Sequence, residues 1–141
     1  MSLDFVHTID IHRPADEVFD VLADFENNPR WQAGMVACLW TSETRGQVGS
    51  TYQQEARFLG RAIHTHFQVT ELVPGRSISI ESTVSTFPIQ VTRSVEPRAE
   101  GCRVSAHIRG QPTGIMAWFS WMVRRSVAKD YAALKRLLEE G

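Results

Sequence analysis

The chain has 141 residues, of which 43% are hydrophobic and 22% charged, with a formal net charge of -1. A chain of that size fits one core, since a domain near 150 residues buries roughly 68–70% of its unfolded surface. A near-neutral balance gives no bulk attraction to nucleic acid or to an anionic membrane, so neither is expected as a partner.

Phe5, His7, Ile9 and Ile11 alternate with polar residues and predict a first strand with one apolar face. Pro14 follows at a predicted first helical position, where its fixed φ suits a helix and its missing N–H had no partner. Asp16 and Glu17 then fall in the first turn, where negative charge meets the positive end of the helix dipole. Val18 and Leu22, with Phe19 or Val21, give this short helix an apolar face. Asp24 is placed to cap a second short helix ending near Trp31, which reads as a core plug.

From Met35 onward the pattern is that of strands. Met35–Ser42 is the predicted second strand and Thr51–Phe58 the third. Leu59-Gly60 marks a hairpin turn. Ile63, Thr65, Phe67 and Val69 share the inner face of the fourth strand, opposite His64 and His66. Pro74-Gly75 fits a type II turn. Ile78 and Ile80 mark the fifth strand, Ile89, Val91, Arg93 and Val95 the sixth, and Cys102, Val104, Ala106 and Ile108 the seventh. One apolar and one polar face on each strand is the pattern of an antiparallel sheet covered on one side. The cover is a predicted helix from Thr113 to Glu139, roughly 40 Å long at 1.5 Å per residue. Its apolar stripe holds Met116, Phe119, Ser120, Val123, Val127, Tyr131, Leu134 and Leu138.

Charge is unevenly spread along this pattern. Residues 1–30 hold seven acids against Arg13 and Arg30, and residues 103–136 hold seven bases against Asp130. Two solvated faces account for the split. Cys38 and Cys102 lie in different predicted strands, with no metal-binding spacing. No charged-then-apolar leader opens the chain, so two free thiols in a reducing cytoplasm are expected.

The strand, the Pro-x-x-x-Val helix (Pro14 to Val18) and the Asn-x-Pro-x-Trp run (Asn27 to Trp31) resemble the START-like, or SRPBCC, superfamily, most closely its polyketide cyclase/dehydrase branch. The likeness continues through Val48-Gly49-Ser50, Val69 to Gly75, Gly101 to Val104 and the closing Leu134 to Glu139. It implies an α+β, helix-grip domain over residues 1–141, of bacterial type. In that fold a seven-stranded curved antiparallel sheet wraps a long C-terminal helix, with two short helices between strands one and two. A straight helix cannot follow a curved sheet, so a cavity is expected between them, and such cavities are the usual ligand sites.

Strand alternation aims Tyr52, Gln54, Phe67, Ile80, Val91, Arg93 and Ala106 at that cavity, and the helix adds Met116, Phe119, Ser120 and Val123. Gln54 reads as a polar residue near an open end of the sheet. Arg93 is odd for a core. An inward Arg needs a carboxylate, a ligand anion or an escape to solvent, the last through a β-bulge or a snorkelling stem. His64 and His66 share a strand face but lack a third ligand, so no metal is expected. No cofactor is implied either. Among inward groups only Tyr52, His7 and Arg93 are candidate acids or bases, and none has a visible partner, so no catalytic residue is assigned.

Three functions remain open. The first is binding or transport of a small hydrophobic, lipid- or polyketide-like molecule. The second is a polyketide cyclase, aromatase or dehydrase type of enzyme. The third is an interaction module, a homodimer or an interfacial lipid contact, using Trp118, Trp121 and Met122 on the helix's outer side; a helix that starts late or bends would instead bring the tryptophans to the cavity mouth. The run from Ile115 to Val123 is too short to span a membrane, which takes about 20 residues.

Overall fold

Seven antiparallel strands form one sheet in the order β1-β7-β6-β5-β4-β3-β2. The computed structural model describes residues 3–58, 60–111 and 120–140. The strands are β1 (Leu3–Ile11), β2 (Met35–Trp40), β3 (Thr51–Phe58), β4 (Arg61–Val73), β5 (Ser77–Val84), β6 (Ile89–Arg98) and β7 (Gly101–Gly110). Helix α1 (Ala15–Ala23) and a 3-10 helix (Phe25–Arg30) lie between β1 and β2, and α2 (Ser120–Glu140) follows the sheet. This is the helix-grip arrangement expected from the sequence.

Local chemistry sets most boundaries. Pro14 stands one position earlier than expected. Its ψ of 141° keeps it extended, and its carbonyl accepts the first helical bond, from Val18 N at 3.2 Å. Asp24 caps the 3-10 helix as predicted, accepting from Glu26 N at 3.2 Å. β2 stops at Trp40 rather than Ser42, because the Ser42 hydroxyl takes the Thr51 N–H at 3.0 Å in place of a strand partner. At Pro74-Gly75 the chain turns with Gly75 at a φ of 74°, and Arg76 N donates to Val73 O at 2.9 Å. Positive φ at the third position is the mark of a type II turn.

Bulges bend the sheet toward the helices. Register shifts occur between Met35 and Ala37 in β2, and in β4 between His66 and Phe67 and between Val69 and Glu71. The last shift changes the strand's phase, so Leu72 rather than Glu71 packs on the core. A one-residue shift always exchanges faces in this way. β6 has no shift near Arg93, which pairs in strict register with Ile78 on one side and Ala106 on the other.

The core fills the space between the curved sheet and the helices. Val18, Phe19 and Leu22 of α1 meet Phe25, Trp31 and the inner strand residues, and Tyr131 and Leu134 of α2 close the cluster. The far end of α2 is tied to the β1–α1 junction. Lys135 Nζ donates to Asp10 O at 2.6 Å, Arg13 Nε to Leu138 O at 2.7 Å, and His12 N to Glu139 Oε2 at 2.8 Å. The expected segment Thr113–Phe119 of the helix, with Met116, Trp118 and Phe119, lies outside the described residues. No helix among the described residues is long and apolar enough to cross a membrane.

Candidate functional site

The inner end of the space under the sheet is built from flat groups. Tyr52 stacks between Phe25 and Phe67, with ring centroids 4.6 and 5.2 Å away, and Trp40 meets it edge-on at 5.6 Å. Trp31 meets Tyr131 edge-on at 4.9 Å. Arg93 enters this aromatic wall from β6. Its guanidinium carbon lies 4.6 Å from the Phe25 centroid and 5.0 Å from that of Trp31. Cation–π contact of this kind is strongest where water is excluded.

Arg93 is only 4% exposed, so it neither snorkels nor turns outward. Nor does it meet a carboxylate among the described residues. Its Nη1 donates to Leu22 O at 2.9 Å and to Asn28 Oδ1 at 3.0 Å. Its Nε is buried with no partner among the described residues, as is Nε1 of Trp31. Asn28 in turn points its Nδ2 toward Cys38 Sγ at 3.9 Å. A carbonyl, an amide oxygen, the Tyr131 side chain and two rings therefore replace the ion pair that a buried Arg ordinarily requires.

Two connected chambers open from this end. The inner one, about 130 Å³, is bounded by Arg93, Tyr52, Phe67, Ile80, Asn28 and Tyr131. The outer one, about 370 Å³, is bounded by Ala56, Ile63, Phe87, Ser120, Val123 and Ser126, among others. Gln32, Gln54, Val91, Ile108, Val127 and Asp130 face both chambers. A volume of a few hundred Å³ with apolar walls and few polar groups is the ordinary form of a small-molecule site.

Most residues chosen from the sequence fall on these walls. Tyr52, Phe67, Ile80 and Arg93 line the inner chamber, Gln54 and Val91 line both, and Ser120 and Val123 line the outer one. Ala106 is fully buried, but its side chain is too short to reach either wall. Met116 and Phe119 lie outside the described residues. The sequence reading missed Asn28, Gln32 and Asp130. A signal existed for the last, since Asp130 is three residues from Val127 and four from Leu134, on the apolar stripe.

Burial governs the protonation of these groups. It pushes the Tyr52 phenol well above its ordinary value, against the opposing charge of Arg93. It raises Tyr131 in the same way. Burial also raises the Asp130 carboxyl, and the Ala33 N–H, 3.2 Å from Asp130 Oδ1, opposes that rise. The Cys38 thiol is pushed up to about 12, chiefly by burial. Each of these groups is thus driven toward its neutral form. His7 is half-buried beside Tyr131, with ring centroids 5.9 Å apart, and is not on either cavity wall. Among the described residues no group of three His, Cys, Asp or Glu is placed to hold a metal ion. On the outer side of α2, Trp121 is 59% exposed.

A family model described as polyketide cyclase / dehydrase and lipid transport matches residues 2–139. No curated protein matches the chain. The fold is shared with a START superfamily protein from Mycobacterium smegmatis, at 13% identity and a TM-score of 0.85 over 97% of each chain. It is shared too with StfQ, a di-domain ARO/CYC of the steffimycin biosynthetic pathway, at 12% identity and a TM-score of 0.82. The match covers 99% of this chain and 52% of StfQ, so the chain spans about half the length of that protein. BexL, a di-domain ARO/CYC of the BE-7585A biosynthetic pathway, is 25% identical, with a TM-score of 0.78 over 96% of this chain and 46% of its own.

Proposed function

This chain belongs to the polyketide cyclase/dehydrase and lipid-transport family, and on that premise we propose that it binds and carries a small hydrophobic molecule bearing an anionic or carbonyl oxygen. The observation that carries this reading is Arg93, a buried guanidinium at the blind end of an apolar-walled cavity, with an unpartnered Nε–H and no carboxylate among the described residues. A ligand oxygen would satisfy that donor and balance the charge. Tyr52, Phe67, Ile80 and Val91 would enclose the ligand body, with Gln54, Ser120 and Val123 toward the outer chamber. Cys38 and Cys102, both buried and not disulfide-bonded, suit a cytoplasmic carrier.

The test compares 2-naphthoate with its neutral amide, 2-naphthamide, on wild type and Arg93→Met. A charge-assisted hydrogen bond is worth roughly 1.5–3 kcal/mol, so the variant should lose about ten- to a hundredfold in affinity for the acid. The amide should be hardly affected. Leu22 O and Asn28 Oδ1 lose their donor in this variant, so its melting temperature should fall as well. The charged-to-neutral affinity ratio is independent of that fall. An unchanged ratio removes Arg93 as the anchor.

A second reading, ring closure or dehydration of a poly-β-ketone chain, is favoured by the likeness to BexL. Its difficulty is the base. Tyr52 is held protonated at neutral pH, and His7 is off the cavity wall. Turnover of a β-ketoacyl thioester by the purified protein would support catalysis. Tight binding of that thioester without turnover would support carriage.

A further inference from the structure

The cavity has a second polar pole. Asp130 faces both chambers from α2. Its Oδ1 accepts the Ala33 N–H at 3.2 Å, and neither of its oxygens pairs with a Lys, Arg or His among the described residues. Arg93 lines the same inner chamber, yet the two opposite charges form no ion pair with each other. Between them the wall is aliphatic, with Ile80, Val91, Ile108 and Val127. A further acceptor stands on the same wall, since Gln32 faces both chambers and its Oε1 is buried without a partner among the described residues. Unsatisfied buried polar atoms are rare, and each one needs an explanation. Here the Arg93 Nε donor stands unpaired among the described residues at one pole, and the Gln32 Oε1 acceptor stands unpaired beside Asp130 at the other.

We infer that Asp130, with Gln32, receives a hydrogen-bond donor, a hydroxyl or an amine, on the far end of a ligand whose acceptor oxygen is held by Arg93. The site then selects molecules that are polar at both ends of a short apolar body. This inference rests on the proposed binding at Arg93. Burial of Asp130 fits it, because a half-buried carboxyl gains from a donor that water no longer supplies. A purely structural Asp130 would only fasten α2 to the loop before β2 through Ala33. Asp130→Asn separates the two roles. The Asn oxygen still accepts from Ala33, while the other oxygen becomes an NH2 that can only donate.

The probes are 6-hydroxy-2-naphthoate and 4-hydroxybenzoate, each against its methyl ether and its unsubstituted parent. Wild type should bind at least one hydroxy acid about tenfold more tightly than its methyl ether, which can accept but not donate. Asp130→Asn should abolish or reverse that preference, which is a ratio of two affinities within one variant and so is read apart from any change common to all the acids. Gln32→Met, which leaves the Asp130–Ala33 bond intact, should reduce the preference in part. Wild type without a preference on either scaffold overturns the inference, and so does a preference that survives both substitutions. If the parent acids bind through Arg93 while the hydroxyl preference is missing, only the role of Asp130 falls. If none of the carboxylates binds, the anchor role of Arg93 falls with it.

Discussion

The two ends of the cavity are built on different principles. At the blind end, planar groups are stacked and most polar atoms are satisfied from within: Tyr52 lies between Phe25 and Phe67, and Arg93 is held by Leu22 O and Asn28. At the open end, apolar side chains of six strands and one helix stand apart, and Gln32, Gln54 and Asp130 face the space between them. The first arrangement stacks its rings around a small chamber of about 130 Å³. The second leaves room. Stability and recognition are thereby assigned to neighbouring stretches of the same strands, and Arg93 belongs to both. A substitution should therefore act on one property or the other according to its distance from the stack.

The sharpest way to break this contrast is truncation at each end. Phe25→Ala removes a ring that touches Tyr52 and Arg93, and should cost about 3–5 kcal/mol in urea unfolding. Val123→Ala, at the wall of the outer chamber, should cost about 1 kcal/mol or less and change ligand affinity instead. Equal losses would mean that the two ends form one packed unit. Asn28→Asp sharpens the position of Arg93. It places a carboxylate where Asn28 Oδ1 now accepts the guanidinium, giving Arg93 an internal ion-pair partner. Affinity for 2-naphthoate should fall about tenfold or more, with folding retained, as titration calorimetry and thermal melts would read.

Acid titration separates the open end from the surface. The Asp130 carboxyl is raised, so the folded chain holds that proton more tightly than the unfolded one. Ionised Asp130 then costs stability above its folded pKa, and the cost disappears as pH falls through that value. Asp130→Asn should melt at or above the wild-type temperature at neutral pH, with the difference shrinking on acidification. Asp10 and Glu139 carry the opposite sign. Arg103 holds Asp10 low, and the His12 N–H, then Lys135, hold Glu139 low. Their contribution is present above the ordinary carboxylate range and is lost as pH falls through their folded values. The smallest effect belongs to Trp121, exposed on the outer side of α2. Trp121→Ala should shift stability by no more than about 0.5 kcal/mol and leave binding unchanged. A larger change in the protein's apparent mass by light scattering would identify that face as a contact.

The inward strand residues were legible because alternation survives wherever register is strict. Arg93 kept its phase through β6, so its inward aim followed from Ile89, Val91 and Val95 alone. How it would be accommodated did not. Leu22 O and Asn28 are 71 and 65 residues away in sequence, and a backbone carbonyl leaves no residue-type signal. Asn28 was hidden inside a motif that marks the fold. Asp130 was hidden by convention, since an acid on an apolar stripe is taken for the margin of the polar face. The bulge that exchanges Glu71 for Leu72 has no turn residue to announce it. Local chemistry, such as the Asp24 cap and the Gly75 turn, was read directly, because each depends on neighbours in the chain.

The pairing of β1 with β7 sets the timetable of folding. Leu3 lies opposite Gly110 and Ile11 opposite Cys102, so this ladder joins residues about a hundred positions apart. Ends so remote in the chain meet slowly, because the loop between them must first be closed. The meander from β2 to β6 is joined by neighbour-to-neighbour pairing and is free to assemble during synthesis. The first strand to leave the ribosome is then among the last to find its place. Until it does, β7 has no β1 beside it, and α2 has no β1–α1 junction to grip. A ligand present at that stage would meet an open trough rather than the finished cavity. Loading during synthesis and loading after it would thus be different reactions, the second one confined to the open end.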